Sequence, residues 1–263
     1  MNSPKEIANN YLGIGKGKVN TPIPKMFLLA VLAGMFIACA GVGATAAGVK
    51  SGNAALGAFV FPGGLAMVLI AGSELFTGNN LIIIPALHGD VSFGGMLKNW
   101  VVVYLGNFVG SILVAAIAVY GGAISGAIAT SAVSTAVAKC SMPFANAMIK
   151  GIGCNFLVCI AVWMSFGAKD VAGKIIAQYL PIMIFVIAGF EHSVANMYYI
   201  AAGLFAQGNA TVAAAVAEAG VDTANLTWGN FFVANLLPVT LGNIIGGAVL
   251  VGCMYWFIYV KDN

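Results

Sequence analysis

The sequence predicts an all-α integral membrane protein with six transmembrane helices, arranged as an inverted three-helix repeat in which helices two and five are broken. Three observations predict it. Hydrophobic residues make up 61% of the 263-residue chain and charged residues only 7%, against about 25% in a soluble domain, which is too few to cover a water-exposed surface. The stretches 26–49, 52–73, 99–138, 151–168, 193–217 and 223–260 contain no Asp, Glu, Lys or Arg, and about 20 apolar residues cross a bilayer as a helix. Two short polar interruptions of this apolar sequence repeat one another, and they set the internal symmetry.

The first 25 residues are polar and carry Lys5, Lys16, Lys18 and Lys25. They read as a cytoplasmic segment, and no cleavable signal peptide is expected because no apolar core with a small-residue cleavage site follows at that scale. The predicted spans are 26–49, 54–87, 98–121, 147–167, 175–206 and 229–258. Spans two and five are too long for one straight crossing and carry charges in their middles. Span two reads Gly72-Ser73-Glu74-Leu75-Phe76-Thr77-Gly78-Asn79 and span five Gly189-Phe190-Glu191-His192-Ser193-Val194-Ala195-Asn196; both are G-x-E-x-x-x-x-N. The following helices repeat as well, Leu105-Gly106-Asn107 with Gly110 against Leu241-Gly242-Asn243 with Gly246.

Matched elements at corresponding places mark a repeat, here 26–121 and 122–258, with 259–263 as a cytoplasmic tail of one transmembrane domain spanning 1–263. Three spans per half is an odd number, so the halves insert in opposite orientations. Inverted repeats with interrupted helices place the solute site at the midplane, where the breaks meet. Non-helical backbone persists at that depth only where protein or water satisfies it, so a cavity is expected between the breaks. The glycines at i,i+4 spacing, Gly106/Gly110 and Gly242/Gly246, are read as close helix contacts.

Lysine placement sets the orientation. With a cytoplasmic N-terminus, the inner segments hold Lys5, Lys16, Lys18, Lys25, Lys98, Lys169, Lys174 and Lys261, and the outer side holds Lys50, Lys139 and Lys150. Both termini, Asn263 included, are therefore expected inside. The eleven basic residues are scattered lysines without arginine, which gives no nucleic-acid footprint. Cys39, Cys140, Cys154, Cys159 and Cys253 are odd in number and lie mostly in apolar segments, as packing residues do.

Glu74, Glu191 and His192 are the ionisable groups deep in apolar sequence, where each ionised side chain costs about 2.5–3.5 kcal/mol on insertion scales. The glutamates read first as structural acceptors for amides and asparagine side chains that the breaks expose. His192 stands apart, because histidine changes charge near neutral pH; it donates to an anion, exchanges a proton with a weak acid, or is a neutral core residue. Thr77 offers a hydroxyl from the opposite break, and His88 is read as interfacial. Lys139, in the loop-to-helix region before span four, and Lys16 are candidate attractors at the two mouths, or lysines that merely snorkel. Phe61, Leu65, Phe76 and Phe185 are candidate apolar constrictions. No H-E-x-x-H, G-x-S-x-G or Walker A pattern occurs, and two histidines make a multi-histidine metal centre unattractive. No metal or cofactor is called for. An intramembrane enzyme using Glu191 and His192 as acid and base would lack a nucleophile.

The Glu-Leu-Phe-Thr-Gly core at 74–78, the run G-F-E-H-S-V-A-N-M at 189–197 and N-L-L-P-V-T-L-G-N-I-I-G-G at 235–247 resemble the formate/nitrite transporter family; Lys98-Asn99-Trp100 with Tyr104-Leu105-Gly106-Asn107, and Ala161–Ser165, fit it too. The resemblance implies an aquaporin-like fold and a homopentamer in the lipid bilayer, one pore per protomer. It implies pore roles for Leu75, Phe76 and Thr77, and apolar constrictions at Leu65 and Phe185 with Phe61 nearby. His192 matches the central histidine with Glu191 beside it, and Asn155, Asn196 and Asn243 match polar supports, with Glu74 and Asn79 at the first break. Lys139 matches the outer-vestibule lysine and Lys16 an inner one. The implied function is passive or proton-coupled transport of a small monovalent anion across the cytoplasmic (inner) membrane. Formate is favoured by the G-F-E-H-S form at 189–193, with nitrite and hydrosulfide as alternatives. Channel and proton symport both stay open, since a low-dielectric constriction disfavours the charged form.

Overall fold

The computed structural model describes residues 1–261; Asp262 and Asn263, the end of the expected tail, lie outside the described residues. Twelve helices are named here: α1 Pro4–Asn20, α2 Ile23–Ser51, α3 Ala54–Gly72, α4 Phe76–Asn79, α5 Ile83–His88, α6 Phe93–Tyr120, α7 Gly126–Cys140, α8 Phe144–Gly167, α9 Val171–Ile187, α10 Ser193–Ala206, α11 Ala210–Glu218 and α12 Trp228–Tyr259. Five of these (α2, α3, α6, α8 and α12) are long and apolar enough to cross a membrane. The sixth crossing is divided between α9 and α10. At 17 and 14 residues, each falls short of the roughly 20 that a span needs. The chain then turns through 102° into α11.

Span two is likewise divided. The helix stops at Gly72 (φ 79°), passes through extended Ser73 and Leu75, and resumes at Phe76. In span five the stop is Gly189 (φ 66°) and the restart Ser193. A left-handed residue ends a helix sharply, and glycine adopts that conformation without a Cβ clash. The freed backbone groups are then caught by neighbours: Glu74 N–H donates to Leu29 O at 3.2 Å, and Glu191 N–H to Lys150 O at 3.3 Å. The same interaction is thus made once in each half.

Close approach of helices holds these breaks in place. A Cβ added at Gly110 would lie 2.0 Å from Val31 O, and one at Gly242 would lie 2.0 Å from Met148 O. Helix α6 therefore packs backbone-to-backbone on α2, as α12 does on α8, which is the structural role expected of these glycines.

Two helices go beyond the sequence expectation. The N-terminal polar segment is the regular helix α1, opened by a capping box between Ser3 and Glu6 and burying Ile7, Tyr11, Gly15 and Val19 on one face. Lys139, expected in a loop-to-helix region, lies in the last turn of α7. These two helices occupy equivalent places in the two halves, as the side-chain bonds below show.

Candidate functional site

The asparagines of the repeated L-G-N motifs pin the breaks from behind. Phe76 N–H donates to Asn107 Oδ1 at 2.9 Å, while Asn107 Nδ2 donates to Ala30 O at 2.7 Å and Glu74 O at 2.9 Å. In the other half Ser193 N–H donates to Asn243 Oδ1 at 2.9 Å, and Asn243 Nδ2 donates to Gly151 O and Glu191 O, both at 2.9 Å. One carboxamide therefore satisfies the first N–H of the restarted helix and a carbonyl of the break, the groups that irregular backbone in a membrane cannot leave bare.

A second repeated unit lies at each mouth. Lys18 Nζ donates to Glu74 Oε1 at 2.9 Å; Asn79 Nδ2 donates to Glu74 Oε2 at 2.6 Å and to Asn99 Oδ1 at 2.9 Å; Asn99 Nδ2 returns to Lys18 O at 3.3 Å. Opposite, Lys139 Nζ donates to both Glu191 oxygens at 2.9 Å; Asn196 Nδ2 donates to Glu191 Oε2 at 2.6 Å and to Asn235 Oδ1 at 2.8 Å; Asn235 Nδ2 returns to Lys139 O at 3.0 Å. The glutamates do accept from asparagine side chains, and each also holds a lysine. This equivalence carries the internal repeat back into α1, ahead of the expected boundary at residue 26. It also changes the lysine expected at an inner mouth: at the mouth beside α1 the lysine paired with Glu74 is Lys18, while Lys16 is exposed on α1.

Lys139 is therefore one partner of an ion pair, with side-chain exposures of 14% for Lys139 and 5% for Glu191. Its ammonium also stands 5.6 Å from the centre of the Tyr199 ring. It borders a cavity of about 550 Å³ together with Glu191, His192, Asn196 and Tyr199. On the other side Lys18 and Glu74 border a cavity of about 370 Å³ with Tyr11, Leu65 and Leu75.

Between the cavities lies a chamber of about 10 Å³ lined by Ile37, Phe61, Leu65, Leu75, Val158, Ile182, Phe185 and His192. Phe61 and Phe185 meet edge to face, their ring centres 5.8 Å apart, on the side of the larger cavity. Leu65 and Leu75 close the other side. A water needs at least about 10–15 Å³ of such space, so the chamber holds one at most. Phe76 lies elsewhere: its ring packs on Tyr104 at 4.9 Å and on Trp100 at 6.2 Å, away from the chamber. Leu75 is the last extended residue of the break and Phe76 the first of the restarted helix, and the two side chains leave in different directions. The structure thus removes Phe76 from the candidate pore lining.

The two breaks meet at Thr77 and His192, with Oγ1 and Nε2 2.8 Å apart and both residues buried. Ala195 N–H donates to His192 Nδ1 at 3.0 Å. A backbone N–H can only donate, so Nδ1 presents its lone pair and the proton of the neutral ring sits on Nε2, pointing at Thr77. The ring stacks on Phe185 at 5.9 Å and 26°. Thr77 is held from behind as well, since Asn155 Nδ2 and Cys159 Sγ both donate to its carbonyl, at 3.2 and 3.3 Å. His88 is away from this line, paired with Asp90 at 3.0 Å.

The sequence pattern of the formate/nitrite transporter family matches residues 5–257. The chain belongs to the formate/nitrite transporter family. It is 38% identical to a probable formate transporter of Methanothermobacter thermautotrophicus, over 99% of this chain and 98% of that one. It is 37% identical to the formate channel FocA of Escherichia coli K12, over 91% and 88% of the two chains. Among solved structures it resembles a pentameric formate channel with formate bound (TM-score 0.79, 36% identity, 91% and 98% coverage) and an FNT family ion channel (TM-score 0.80, 30% identity, 97% of both chains). The chain is thus a multi-pass membrane transport protein, and the enzyme alternative falls with that assignment.

Asn99, Asn107, Asn235 and Lys18 were absent from the expected site. The signal for Asn107 was present, because it belongs to the same L-G-N repeat as Asn243. Asn99 and Asn235 carried a signal too, since each stands eight residues before the asparagine of its L-G-N motif.

Proposed function

We propose that this protein passes formate across the cytoplasmic membrane through a pathway in each protomer of a pentamer, with both termini cytoplasmic. The observation that carries the reading is the alignment of two aqueous cavities on one small apolar chamber, into which His192 brings the one polar side chain. The relatives' names add formate; the lysine distribution adds the orientation. Lys139, Lys18, Thr77 and His192 are the residues assigned to the solute.

A formate ion reaching the outer cavity meets Lys139, whose charge Glu191 already offsets, so attraction is local and directional. The Phe61/Phe185 pair then strips its hydration shell. At the chamber, Thr77 stands where an acceptor oxygen of the solute would take the His192 Nε2–H. Displacing Thr77 gives the solute that hydrogen bond and leaves His192 neutral. A second proton on the ring would require Nδ1 to release Ala195 N–H. The scheme therefore makes His192 a neutral donor at the narrowest point, whether the solute crosses as anion or as acid. Passage requires the aromatic and leucine pairs to move aside, because about 10 Å³ does not admit a carboxylate.

Purified protein in liposomes tests this with formate, nitrite and hydrosulfide offered in parallel. Formate flux is expected to be the fastest and to exceed that of empty liposomes. Formate flux no greater than in empty liposomes would end the proposal, and faster flux of nitrite or hydrosulfide would reassign the solute within the family.

A further inference from the structure

Tyr104 and Thr240 occupy equivalent positions in the two halves, each three residues before the asparagine that pins its own break. Their hydroxyls meet at 2.8 Å. A bond between equivalent positions lies at the pseudo-twofold axis and joins α6 to α12. From Tyr104 the contacts run to the Phe76 ring, 4.9 Å away at 80°, and Phe76 is the neighbour of Thr77. From Thr240 one helical turn leads to Asn243, which holds Ser193 N–H beside His192 at 2.9 Å. The contacts thus close a loop through both breaks: Thr240, Tyr104, Phe76, Thr77, His192, Asn243. Sliding of α6 along α12 would carry the first break with Asn107 and the second with Asn243, and so pull Thr77 from His192.

We propose that the Tyr104–Thr240 hydroxyl pair is a register lock that positions Thr77 against His192, making both residues positioning residues for the pathway. This rests on the transport reading given above only for its bearing on flux. The plainer alternative is that two half-buried hydroxyls simply satisfy each other. In that case their loss would leave the chamber unchanged.

The chain has two histidines, so His88→Gln leaves His192 as the single imidazole. Solid-state NMR of ¹⁵N-histidine-labelled protein in lipid bilayers then reads the Nε2–H that faces Thr77. Tyr104→Phe keeps the ring against Phe76 and removes only the hydroxyl; Thr240→Val keeps the shape. Both are expected to shift the His192 Nε2–H resonance alike, and the double variant no further, because each deletes the same bond. Formate flux should fall by a similar factor in all three, about two- to tenfold, the range for losing one net hydrogen bond. An unmoved His192 resonance in assembled single variants would overturn the proposal, as would shifts that add in the double variant. Failure of both single variants to assemble would also overturn it, since the pair would then belong to folding. The resonance needs no solute, so a protein that carries something other than formate leaves this test standing.

Discussion

Neutralising Lys139 alone should harm the pathway more than neutralising Lys139 and Glu191 together. In the native protein the Lys139 ammonium lies 2.9 Å from the carboxylate, an attraction of about 6 kcal/mol at an effective dielectric of 20. Most of this offsets the cost of taking both groups from water. Lys139→Gln removes the attraction and leaves the cost at Glu191, which keeps only Asn196 as a side-chain donor. Breaking a buried pair from one side typically costs about 3–5 kcal/mol; because this pair borders an open cavity, the lower end applies. The bare carboxylate also faces the solute. At about 6 Å and an effective dielectric near 40 it repels a monovalent anion by about 1.4 kcal/mol, tenfold in occupancy. Lys139→Gln should therefore lower both the melting temperature of the assembly and formate flux, the latter about tenfold. Adding Glu191→Gln should return flux to within about threefold of the parent, and Lys139→Glu should be slowest of the series. Flux into liposomes at matched protein content, with melting followed on the same samples, decides the matter. A double variant as slow as Lys139→Gln would refute the reasoning and show that the ammonium itself is needed.

Three further outcomes follow from the same geometry. His192→Phe should abolish formate uptake with the assembly intact, whereas His192→Asn, which keeps a neutral side-chain N–H donor, should retain part of the uptake with the parent's dependence on pH between about 5 and 8; uptake measured across that range checks both, and a flattened profile would contradict the neutral-donor role. Asn107→Ala and Asn243→Ala each strip partners from one break's N–H and two carbonyls, and each unsatisfied group costs about 1–3 kcal/mol, so thermal unfolding should show large and similar losses. Gly110→Ala should prevent assembly, because its Cβ would lie 2.0 Å from Val31 O; a pentamer of normal size by light scattering would contradict the backbone contact.

Much of the architecture was legible because lipid makes polar residues conspicuous. Glu74 and Glu191 stand out as charges in apolar runs, and their shared G-x-E-x-x-x-x-N frame locates both breaks, with Thr77 on one and His192 on the other. What could not be read was direction. Leu75 and Phe76 are adjacent and apolar, and only the change at the break from extended Leu75 to helical Phe76 sends one to the chamber and the other to Tyr104. Lys16 and Lys18 are two residues apart in a segment of mixed polarity. Packing of Ile7, Tyr11 and Gly15 decides the face of α1, and with it which lysine reaches Glu74. The helix α7 is rich in Ala, Ser, Thr and Val up to Lys139, so small residues fall on every face and no apolar stripe marks its buried side.

The chamber between the phenylalanine and leucine pairs has a consequence for the energy economy of a cell. Protons cross proteins readily along files of hydrogen-bonded water, hopping from one molecule to the next. A space of about 10 Å³ breaks such a file to a single link, and the His192 proton that could bridge it is engaged with Thr77. While that pair is closed, a pathway for small acids can sit in an energised membrane without short-circuiting it. On the proposed scheme, a proton bound to the solute that parts the two residues would cross as cargo.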